Sequence, residues 1–371
     1  HLPERAGLSR ITGAFDPWSL AKTGQALWVG ADQELAPIAA LAEADLRLFG
    51  HGRFAACVAD PASIVTEAIG SWAYRNPFSG TAWAPAEAIA QLGEWRRLIE
   101  ANRTIAGVHG IARWKRVTLD AMLWDGTGPV RYGAMADERT PKTAALAIWQ
   151  SRVSAARLAA LKESGAPLAE VEDGFIRSVG LGANCVPPLS AIVDFSGVYF
   201  DPAQSSDLEN LLRKAEIDSA LLARASALRQ RLVQAAISKY AQASNPITYS
   251  HGQSRRILIA GQVEDDRSIL SGGSGTTNLQ LLERARALEP DAWLVYKPHP
   301  DVEAGHRKGR VPEREALRFA NEIATNTPII PLIDSVEALH VITSLAGFEA
   351  LLRGKAVTTH GVPFYAGWGL T

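Results

Sequence analysis

Acidic side chains cluster at two places along the chain, each directly after a short apolar run. Glu172 and Asp173 precede Gly174, and Asp266 lies in the polar stretch that begins at Gln262. Carboxylates on opposite walls of a cleft suit glycosyl transfer, because one acts as general acid/base and the other stabilises or traps an oxocarbenium-like centre. We expect Gly174 to let the chain turn sharply and present the carboxylates at a strand end. Solvated turn or cap residues are the alternative interpretation of each cluster.

A second group of polar residues has the types that bind phosphate. His299 lies between two prolines, which stiffen its loop, and Lys297 is close by. Ser344 is placed to cap a helix, whose free N–H groups and positive dipole end form an anion site. Glu349, one turn into that helix, could accept hydrogen bonds from ribose hydroxyls. A rigid surface loop, a simple cap and a solvated glutamate remain open as alternatives.

Two further segments allow two interpretations each. Residues 361–369 are aromatic and glycine-rich, so they could cover a sugar and line a cleft, or pack as core beneath a loop. His109, Arg113, Trp114 and Lys115 could contact an anionic ligand, or form the surface of a helix.

The last third of the chain contains the elements that must position most of these residues. Short apolar runs predict strands at residues 257–260, 293–296, 328–333, 340–343 and 356–359. A Ser/Gly turn at residues 271–275 precedes a predicted helix over 277–288, and a second helix is predicted over 345–353 with Gly354 as its C-cap. Strands that alternate with helices predict a parallel sheet covered on both faces, which binds ligands beyond the C-terminal ends of its strands.

A second unit of the same kind is predicted upstream, with strands at residues 145–149, 168–171 and 189–193 and helical spacing from Asp207 to about Tyr240. Asn245–Pro246 is the expected hinge. The predicted fold class is therefore α/β, with two Rossmann-like domains, 71–245 and 246–371, facing across a cleft as in glycosyltransferase B enzymes. Residues 1–70 are harder to assign. The helix, strand and glycine order from Glu34 to Arg53 indicates either a degenerate piece of a ligand-binding domain or a chance similarity.

Composition excludes several classes of protein. The 38 lysines and arginines nearly balance the 39 aspartates and glutamates, so no field for nucleic acid or for a polybasic membrane anchor is expected. Cys57 and Cys185 are too few for a disulfide framework or a thiolate metal site, which favours a reducing compartment. With no apolar run of membrane-spanning length and no signal-peptide pattern at the N-terminus, we expect a cytoplasmic protein.

Taken in order, the motifs of the chain resemble the bacterial capsule polysaccharide β-Kdo transferases of the KpsC type, where Kdo is 3-deoxy-manno-octulosonic acid. The resemblance runs from about Arg75 to Thr371 and is poor before it. It is carried by Arg75–Gly80, Arg113–Arg116, Glu172–Gly182, Val198–Asp201, Gln262–Asp266, Lys297–Asp301, Phe348–Leu352 and Tyr365–Thr371.

The resemblance implies a retaining transferase with CMP-β-Kdo as donor and a poly-Kdo linker on a (lyso)phosphatidylglycerol acceptor. Residues 246–371 would bind the donor and 71–245 the acceptor, with no metal or other cofactor. Members often carry two transferase modules in tandem, and this chain resembles the second. A tandem module and capsule assembly proteins are the implied protein partners, at the inner face of the inner membrane.

Roles for individual residues follow from the same resemblance. Asp266 would be the nucleophile that forms a covalent Kdo–aspartate adduct, and Glu172 or Asp173 the acid/base group. The implied substrate-binding residues are Gln262, in the nucleophile's motif; Lys297, His299 and Ser344, at the CMP phosphate; Glu349, at the ribose; and Arg177 or Ser178, at the Kdo carboxylate or the acceptor. Transfer of another CMP-linked ulosonic acid, such as sialic acid, and a catalytically silent glycan-binding or scaffold module remain the alternatives.

Overall fold

The structure is a computed structural model that describes residues 14–24, 26–57, 60–136, 140–179, 185–239 and 255–371. The chain divides into two compact units, one ending at Leu98 and one beginning at Ile99. The domain boundaries at 70/71 and 245/246 stay predictions. The predicted hinge Asn245–Pro246, the expected helix end at Tyr240 and the motif residues 180–182 lie outside the described residues.

The first unit contains two small two-stranded sheets. Its elements are α1 (Pro17–Ala21), β1 (Leu27–Gly30), α2 (Leu35–Leu41), β2 (Leu46–Phe49), α3 (Pro61–Gly70), β3 (Tyr74–Arg75), β4 (Ala82–Trp83) and α4 (Pro85–Asn102), which contains the boundary. Strands β1 and β2 are parallel, whereas β3 and β4 are antiparallel. The helix and strand predicted between Glu34 and Arg53 are present as α2 and β2. Val29, Ala36 and Phe54 form part of a small core of this unit.

The second unit begins with a four-stranded sheet. Its elements are β5 (Ile105–His109), α5 (Arg116–Met122), β6 (Ala145–Ile148), α6 (Ala155–Glu163), β7 (Leu168–Asp173) and β8 (Ala191–Asp194). The sheet has the order β5-β6-β7-β8, and its first three strands are parallel. Strand β8 departs from the expected parallel arrangement, because it runs antiparallel to β7. A strand reached without a crossover helix returns antiparallel, and the described part of the connection 174–190 contains no helix.

Two helices follow this sheet, α7 (Asp207–Lys214) and α8 (Ser219–Gln234). Their N-caps are Ser206 and Asp218, whose side chains accept hydrogen bonds from the backbone N–H groups of Glu209 and Leu221. Every residue from 211 to 231 is exposed, so most of both helices adds nothing to the core. Among the described residues, no helix combines the length and the apolar character needed to cross a membrane.

The last part of the chain forms a five-stranded parallel sheet. Its elements are β9 (Arg256–Ala260), α9 (Arg267–Gly272), α10 (Asn278–Leu288), β10 (Trp293–Lys297), α11 (Pro300–Glu303), α12 (Glu313–Ala316), β11 (Glu322–Ile323), α13 (Ile329–Asp334), β12 (Ala338–Val341), α14 (Leu345–Leu352) and β13 (Ala356–Thr359). The order is β11-β10-β9-β12-β13, and buried clusters cover both faces. After β9 the chain adds β10 and β11 on one side of this strand, and then β12 and β13 on the other. A topological switch point therefore lies between β9 and β12. The predicted α/β class with parallel sheets is confirmed.

The strand predicted at residues 328–333 is wrong, because this run forms helix α13 instead. A short apolar run does not distinguish a buried strand from a buried helix. Pro331 lies in the first turn of α13, where its missing N–H leaves no hydrogen bond unmade, while Leu332 and Ile333 are fully buried. The edge strand is β11, only two residues long and paired with β10.

Gly361 lies where two backbone segments come close together. The N–H of Val362 donates to the carbonyl of Gly272 at the end of α9. A Cβ at position 361 would lie 2.5 Å from that carbonyl oxygen and 3.0 Å from the Thr343 methyl group. Glycine is therefore required here by close packing, and the contact joins α9 to the loop after β13.

We predict that Gly361→Ala lowers the free energy of unfolding by about 1–3 kcal/mol, because the added methyl group meets backbone that must move. Chemical denaturation with circular dichroism measures the change. Gly128→Ala is the matched control, since a Cβ there meets nothing within 4 Å. Equal stability of the two variants would contradict the packing argument.

Candidate active site

A cavity of about 370 Å³ opens in the second unit at the C-terminal ends of β7, β9, β10 and β12. Most of the residues selected from the sequence line it: Glu172, Asp173, Gln262, Asp266, Lys297, His299, Ser344 and Glu349. Arg177 and Ser178 are not part of its lining. The structure therefore brings both acidic clusters and the phosphate-binding types to one place. A volume of this size accommodates a small ligand.

His299 lines the cavity, and a backbone hydrogen bond holds one of its two ring nitrogens. It is the N-cap of α11, and its Nδ1 accepts a hydrogen bond of 3.1 Å from the backbone N–H of Asp301. Burial lowers the pKa of His299, so the neutral ring is favoured. In that neutral ring the proton is on Nε2, because Nδ1 acts as acceptor. The imidazole is therefore oriented as a hydrogen-bond donor.

Ser344 caps α14, as predicted. Its Oγ accepts a 3.2 Å hydrogen bond from the N–H of Ala346, and its own O–H stays available as a donor. The capping bond occurs at a helix start that lines the cavity, so the two interpretations of Ser344 are compatible. The first turn of α14 adds the positive end of a helix dipole to this wall.

Lys297 lines the cavity, but its ammonium group is paired with a carboxylate. The residue is 4% exposed, its Nζ forms an ion pair with Glu303, and it donates to the carbonyl of Pro298 at 3.0 Å. Its charge is therefore largely compensated inside the protein.

Glu349 is buried, which rules out the solvated interpretation. Its Oε1 accepts a hydrogen bond of 2.7 Å from the backbone N–H of Lys239. Burial raises the pKa of Glu349 to about 6, and the bond from Lys239 opposes this rise. Glu349 thus fixes residue 239 against α14 and keeps an acidic group at the cavity wall.

Gln262 uses its side-chain amide to join two strand ends. Oε1 accepts from the N–H of Thr343 at 2.8 Å, and Nε2 donates to Thr343 Oγ1 at 3.1 Å. The backbone N–H of Gln262 donates to Asn278 Oδ1 at 2.9 Å. This pairing holds the end of β9 against the end of β12, where the switch point lies.

Asp266 is the N-cap of α9, and its two oxygens differ in environment. Oδ1 accepts from the N–H of Ser268 at 3.0 Å and from Ser268 Oγ at 2.8 Å. In the described part of the chain, no donor lies within hydrogen-bond distance of Oδ2. The carboxylate is thus held by one oxygen, and the other is left for a ligand.

Glu172 shares the guanidinium of Arg267 with Glu170. The two guanidinium nitrogens reach Glu170 at 2.8 and 3.3 Å, and Nη1 is 3.5 Å from Glu172 Oε1. Burial raises the pKa of Glu172 to about 7, while the charge of Arg267 opposes this rise. A carboxyl group with such a pKa can give and take a proton near neutral pH.

Asp173 is held between two cations. Lys115 Nζ lies 3.2 Å from Oδ1, and Arg177 Nε lies 2.8 Å from Oδ2. Lys115 also lies 3.2 Å from the centre of the Trp149 ring, and its burial lowers its pKa to about 8. Arg177 is 1% exposed, and its Nη1 donates a hydrogen bond of 2.7 Å to Ser178 Oγ. The charge of Arg177 therefore serves Asp173 rather than the open cavity.

Two expectations about this region need correction. Lys115 and His109 do not lie on a helix surface, since both are buried and His109 is the last residue of β5. Gly174 does not adopt a left-handed backbone conformation. A glycine is required there because a Cβ would collide with the side chain of Ser190, which lies directly against it.

The aromatic segment at residues 361–369 both lines the cavity and packs in the core. Phe364 lines the cavity and stacks on Phe175, with ring centres 4.7 Å apart. Tyr365 is 3% exposed and packs in the core beneath α14, where its hydroxyl donates to the carbonyl of Ser344. The rings of Tyr199 and Phe348 complete this cluster.

Sequence reasoning overlooked the cations that hold the acidic groups. Arg267 directly follows Asp266, but nothing in the sequence indicates its pairing with Glu170, 97 residues away. Lys115 is 58 residues from Asp173. The described residues contain no cluster of three or more His, Cys, Asp or Glu side chains suited to a metal ion.

Comparison with known proteins gives this site a context. The family described as capsule polysaccharide biosynthesis protein matches residues 144–371, which is more than half of the chain and includes the whole cavity lining. The chain belongs to this family. The resemblance to KpsC-type capsule enzymes that the motifs indicated is thereby confirmed.

Relatives of known name agree with this assignment. The capsule polysaccharide modification protein LipA of Neisseria meningitidis is 36% identical over 304 residues, or 80% of this chain and 43% of LipA. The lipopolysaccharide-processing protein LpsZ of Rhizobium meliloti is 37% identical over 299 residues, or 77% of this chain and 67% of LpsZ. The chain thus spans less than half the length of LipA.

Two solved structures of Thermosulfurimonas dismutans KpsC are similar in fold. The β-Kdo 2,4 transferase has a TM-score of 0.58 and 28% identity, covering 72% of this chain and 83% of that chain. The β-Kdo 2,7 transferase has a TM-score of 0.53 and 32% identity, covering 71% of this chain and 81% of that chain.

We predict opposite pKa shifts of Glu172 in two variants. Arg267→Gln removes a positive charge and raises the pKa above its value of about 7, whereas Asp173→Asn removes a negative charge and lowers it. Carbon-13 NMR of labelled glutamate carboxyl groups, assigned with Glu172→Gln, follows each titration. Shifts in the same direction would contradict the described electrostatics.

Proposed function

We propose that the chain is a retaining glycosyltransferase that moves Kdo from CMP-β-Kdo to a poly-Kdo linker on a (lyso)phosphatidylglycerol acceptor in capsule biosynthesis. The observation that carries the proposal is the shared cavity, in which Glu172 at the end of one sheet and Asp266 after the first strand of another meet a wall of phosphate-binding groups. Its two sheets would act as the facing Rossmann-like domains of a glycosyltransferase B enzyme. The similarity to KpsC transferases supports the choice of sugar.

The phosphate of the donor would bind to hydrogen-bond donors on the five-stranded sheet. His299 Nε2–H, the Ser344 hydroxyl and the N–H of Leu345 at the start of α14 would supply them without a metal or other cofactor. Lys297 would contribute less direct charge, because Glu303 already pairs with it. Glu349 would accept from the ribose hydroxyls of CMP.

Retention of configuration is obtained from two successive inversions. In the first, a bond forms between Asp266 Oδ2 and the anomeric carbon of Kdo, and the bond from that carbon to the CMP phosphate oxygen breaks. In the second, the acceptor oxygen bonds to the anomeric carbon while the aspartyl ester bond breaks. The proton of the acceptor hydroxyl passes to the carboxylate acting as base.

The geometry favours Glu172 over Asp173 as this base. Both oxygens of Asp173 accept hydrogen bonds from cations, which limits its access to a substrate proton. Glu172 has a pKa of about 7 and a looser contact of 3.5 Å with Arg267. Asp173 would then orient the surrounding groups.

Transfer itself is the test of the whole proposal. The protein is incubated with CMP-Kdo and a synthetic Kdo-terminated acceptor, and NMR of the product establishes the linkage and its configuration. Activity with CMP-sialic acid alone would favour the alternative ulosonic acid. If the protein bound glycan but transferred no sugar, a catalytically silent module would be favoured. Such a module would work beside a second domain, since LipA is more than twice as long as the matched region. A cytoplasmic location, at the membrane that carries the acceptor, is part of the same proposal.

We predict that His299→Ala and Ser344→Ala each weaken CMP binding by about one to two decades, because each removes a hydrogen bond to a charged phosphate, worth roughly 1.5–3 kcal/mol. Isothermal titration calorimetry measures the affinity. His306→Ala is the matched control, since His306 is exposed and does not line the cavity. Unchanged affinity in both cavity variants would show that the phosphate binds elsewhere.

We predict that Asp266→Ala abolishes transfer and leaves CMP affinity within about threefold, because Asp266 acts on the sugar and a lost phosphate contact would cost more. Intact-protein mass spectrometry of Glu172→Gln with CMP-Kdo should show one added Kdo on a peptide that contains Asp266. Asp291→Ala is the control, because this aspartate is exposed and does not line the cavity. An adduct on Glu172 or Asp173 in the native protein would reverse the assignment of roles.

A further inference from the structure

Helix α8 carries an apolar stripe whose first three residues are exposed in the described structure and whose last, Leu232, is partly buried. Leu221, Ala225, Leu228 and Leu232 follow one another at spacings of four, three and four residues, which places them on one face of the helix. Leu221 is 48% and Leu228 54% exposed. A helix that exposes its apolar face in this way gains no stability from core burial. Such a surface is typical of a contact with lipid or with another protein.

The charged residues of α8 all lie along the two borders of this stripe. Residues 219–234 contain three arginines and no acidic residue. At 100° per residue, Arg224 and Arg231 lie along one border of the stripe and Arg229 along the other. Long arginine side chains at such borders can keep their stems on apolar surface while the guanidinium groups reach polar headgroups.

We infer that α8 lies flat on a membrane surface rich in anionic phospholipid, with its leucine stripe among the acyl chains and its arginines at the phosphates. This arrangement is typical of interfacial helices, which lie in the membrane plane without spanning it. The balanced charge of the whole chain does not oppose it, because the positive charge of α8 is local and acts within a Debye length. The surface would hold the enzyme at the bilayer independently of its catalytic cavity.

Charge complementarity favours lipid over a protein partner. A stripe that docks against a second protein or a second copy of the chain is normally bordered by charges of both signs, which set register and partner choice. On α8 every border charge is positive. Each arginine near an anionic leaflet strengthens partitioning about fivefold, so Arg229 and Arg231 act together with the leucines.

The experiment measures partitioning of the full chain onto vesicles by sedimentation, without donor or acceptor. Vesicles of phosphatidylglycerol in phosphatidylcholine are compared with pure phosphatidylcholine. We expect clear binding to the anionic vesicles, about a tenfold or greater loss in Leu221→Gln/Leu228→Gln, and about a 25-fold loss in Arg229→Gln/Arg231→Gln with a weaker salt dependence. Because glutamine is a good helix former, circular dichroism should be unchanged in both variants.

Leu288→Gln/Leu317→Gln is the matched control, because these leucines are 61% and 46% exposed and lie on other elements. It should bind anionic vesicles like the native chain. Equal binding of native protein and the α8 variants, or no preference for phosphatidylglycerol, would overturn the inference. The inference would also be overturned if the native protein were a dimer, and the leucine variant became monomeric while binding vesicles as before. Helix α8 would then be a contact between copies of the chain. Since vesicle binding needs no sugar, failure of the proposed transfer leaves this result unaffected.

Discussion

The guanidinium group of Arg267 is shared between carboxylates of another sheet, and the rest of the cavity depends on this sharing. It binds Glu170 through both terminal nitrogens and lies 3.5 Å from Glu172, so helix α9 is fixed against the end of β7. Asp266 is the preceding residue and caps the same helix. One ion-pair network therefore decides where both carboxylates with a proposed chemical role are held. Losing the arginine would leave buried negative charge without compensation, which is costly.

Burying an acidic group costs free energy of folding, yet acidic groups are buried at the cavity. The pKa of Glu172 is raised to about 7 and that of Glu349 to about 6, in both cases mainly because burial disfavours the charged form. A folded-state pKa above the unfolded value means that the contribution of the group to stability is lost as pH rises through that range. Both residues thus work against stability at neutral pH, where the proposed acid/base function would use Glu172. Asp173 differs, because two cations surround it.

The five-stranded sheet was largely predictable, whereas the four-stranded sheet and the electrostatics were less so. Buried parallel strands such as β9 and β10 are mostly continuous apolar runs, and Ser344 at a strand-to-helix turn indicates a cap. The run at 328–333 has the same composition but contains Pro331 and forms a helix. Strand β11 escaped notice because two residues carry no periodicity. The partners of Arg267 and Lys115 lie far away in sequence, and only folding brings them together.

The pairing of cationic side chains with carboxylates explains how the cavity could bind the proposed anionic donor and still release the product. Three cations at or beside its wall already face carboxylates, namely Lys297 with Glu303, Arg267 with Glu170, and Arg307 with Asp265. Among the described residues, the other groups of the lining that suit a phosphate are Lys239, a neutral imidazole, a hydroxyl group and the first turn of a helix. Dipoles bind an anion more weakly than a free ammonium or guanidinium group in the same place. Under the proposed function CMP must leave after every cycle, and pairing most of the nearby cations with carboxylates makes that release faster than a wall of unpaired charges would.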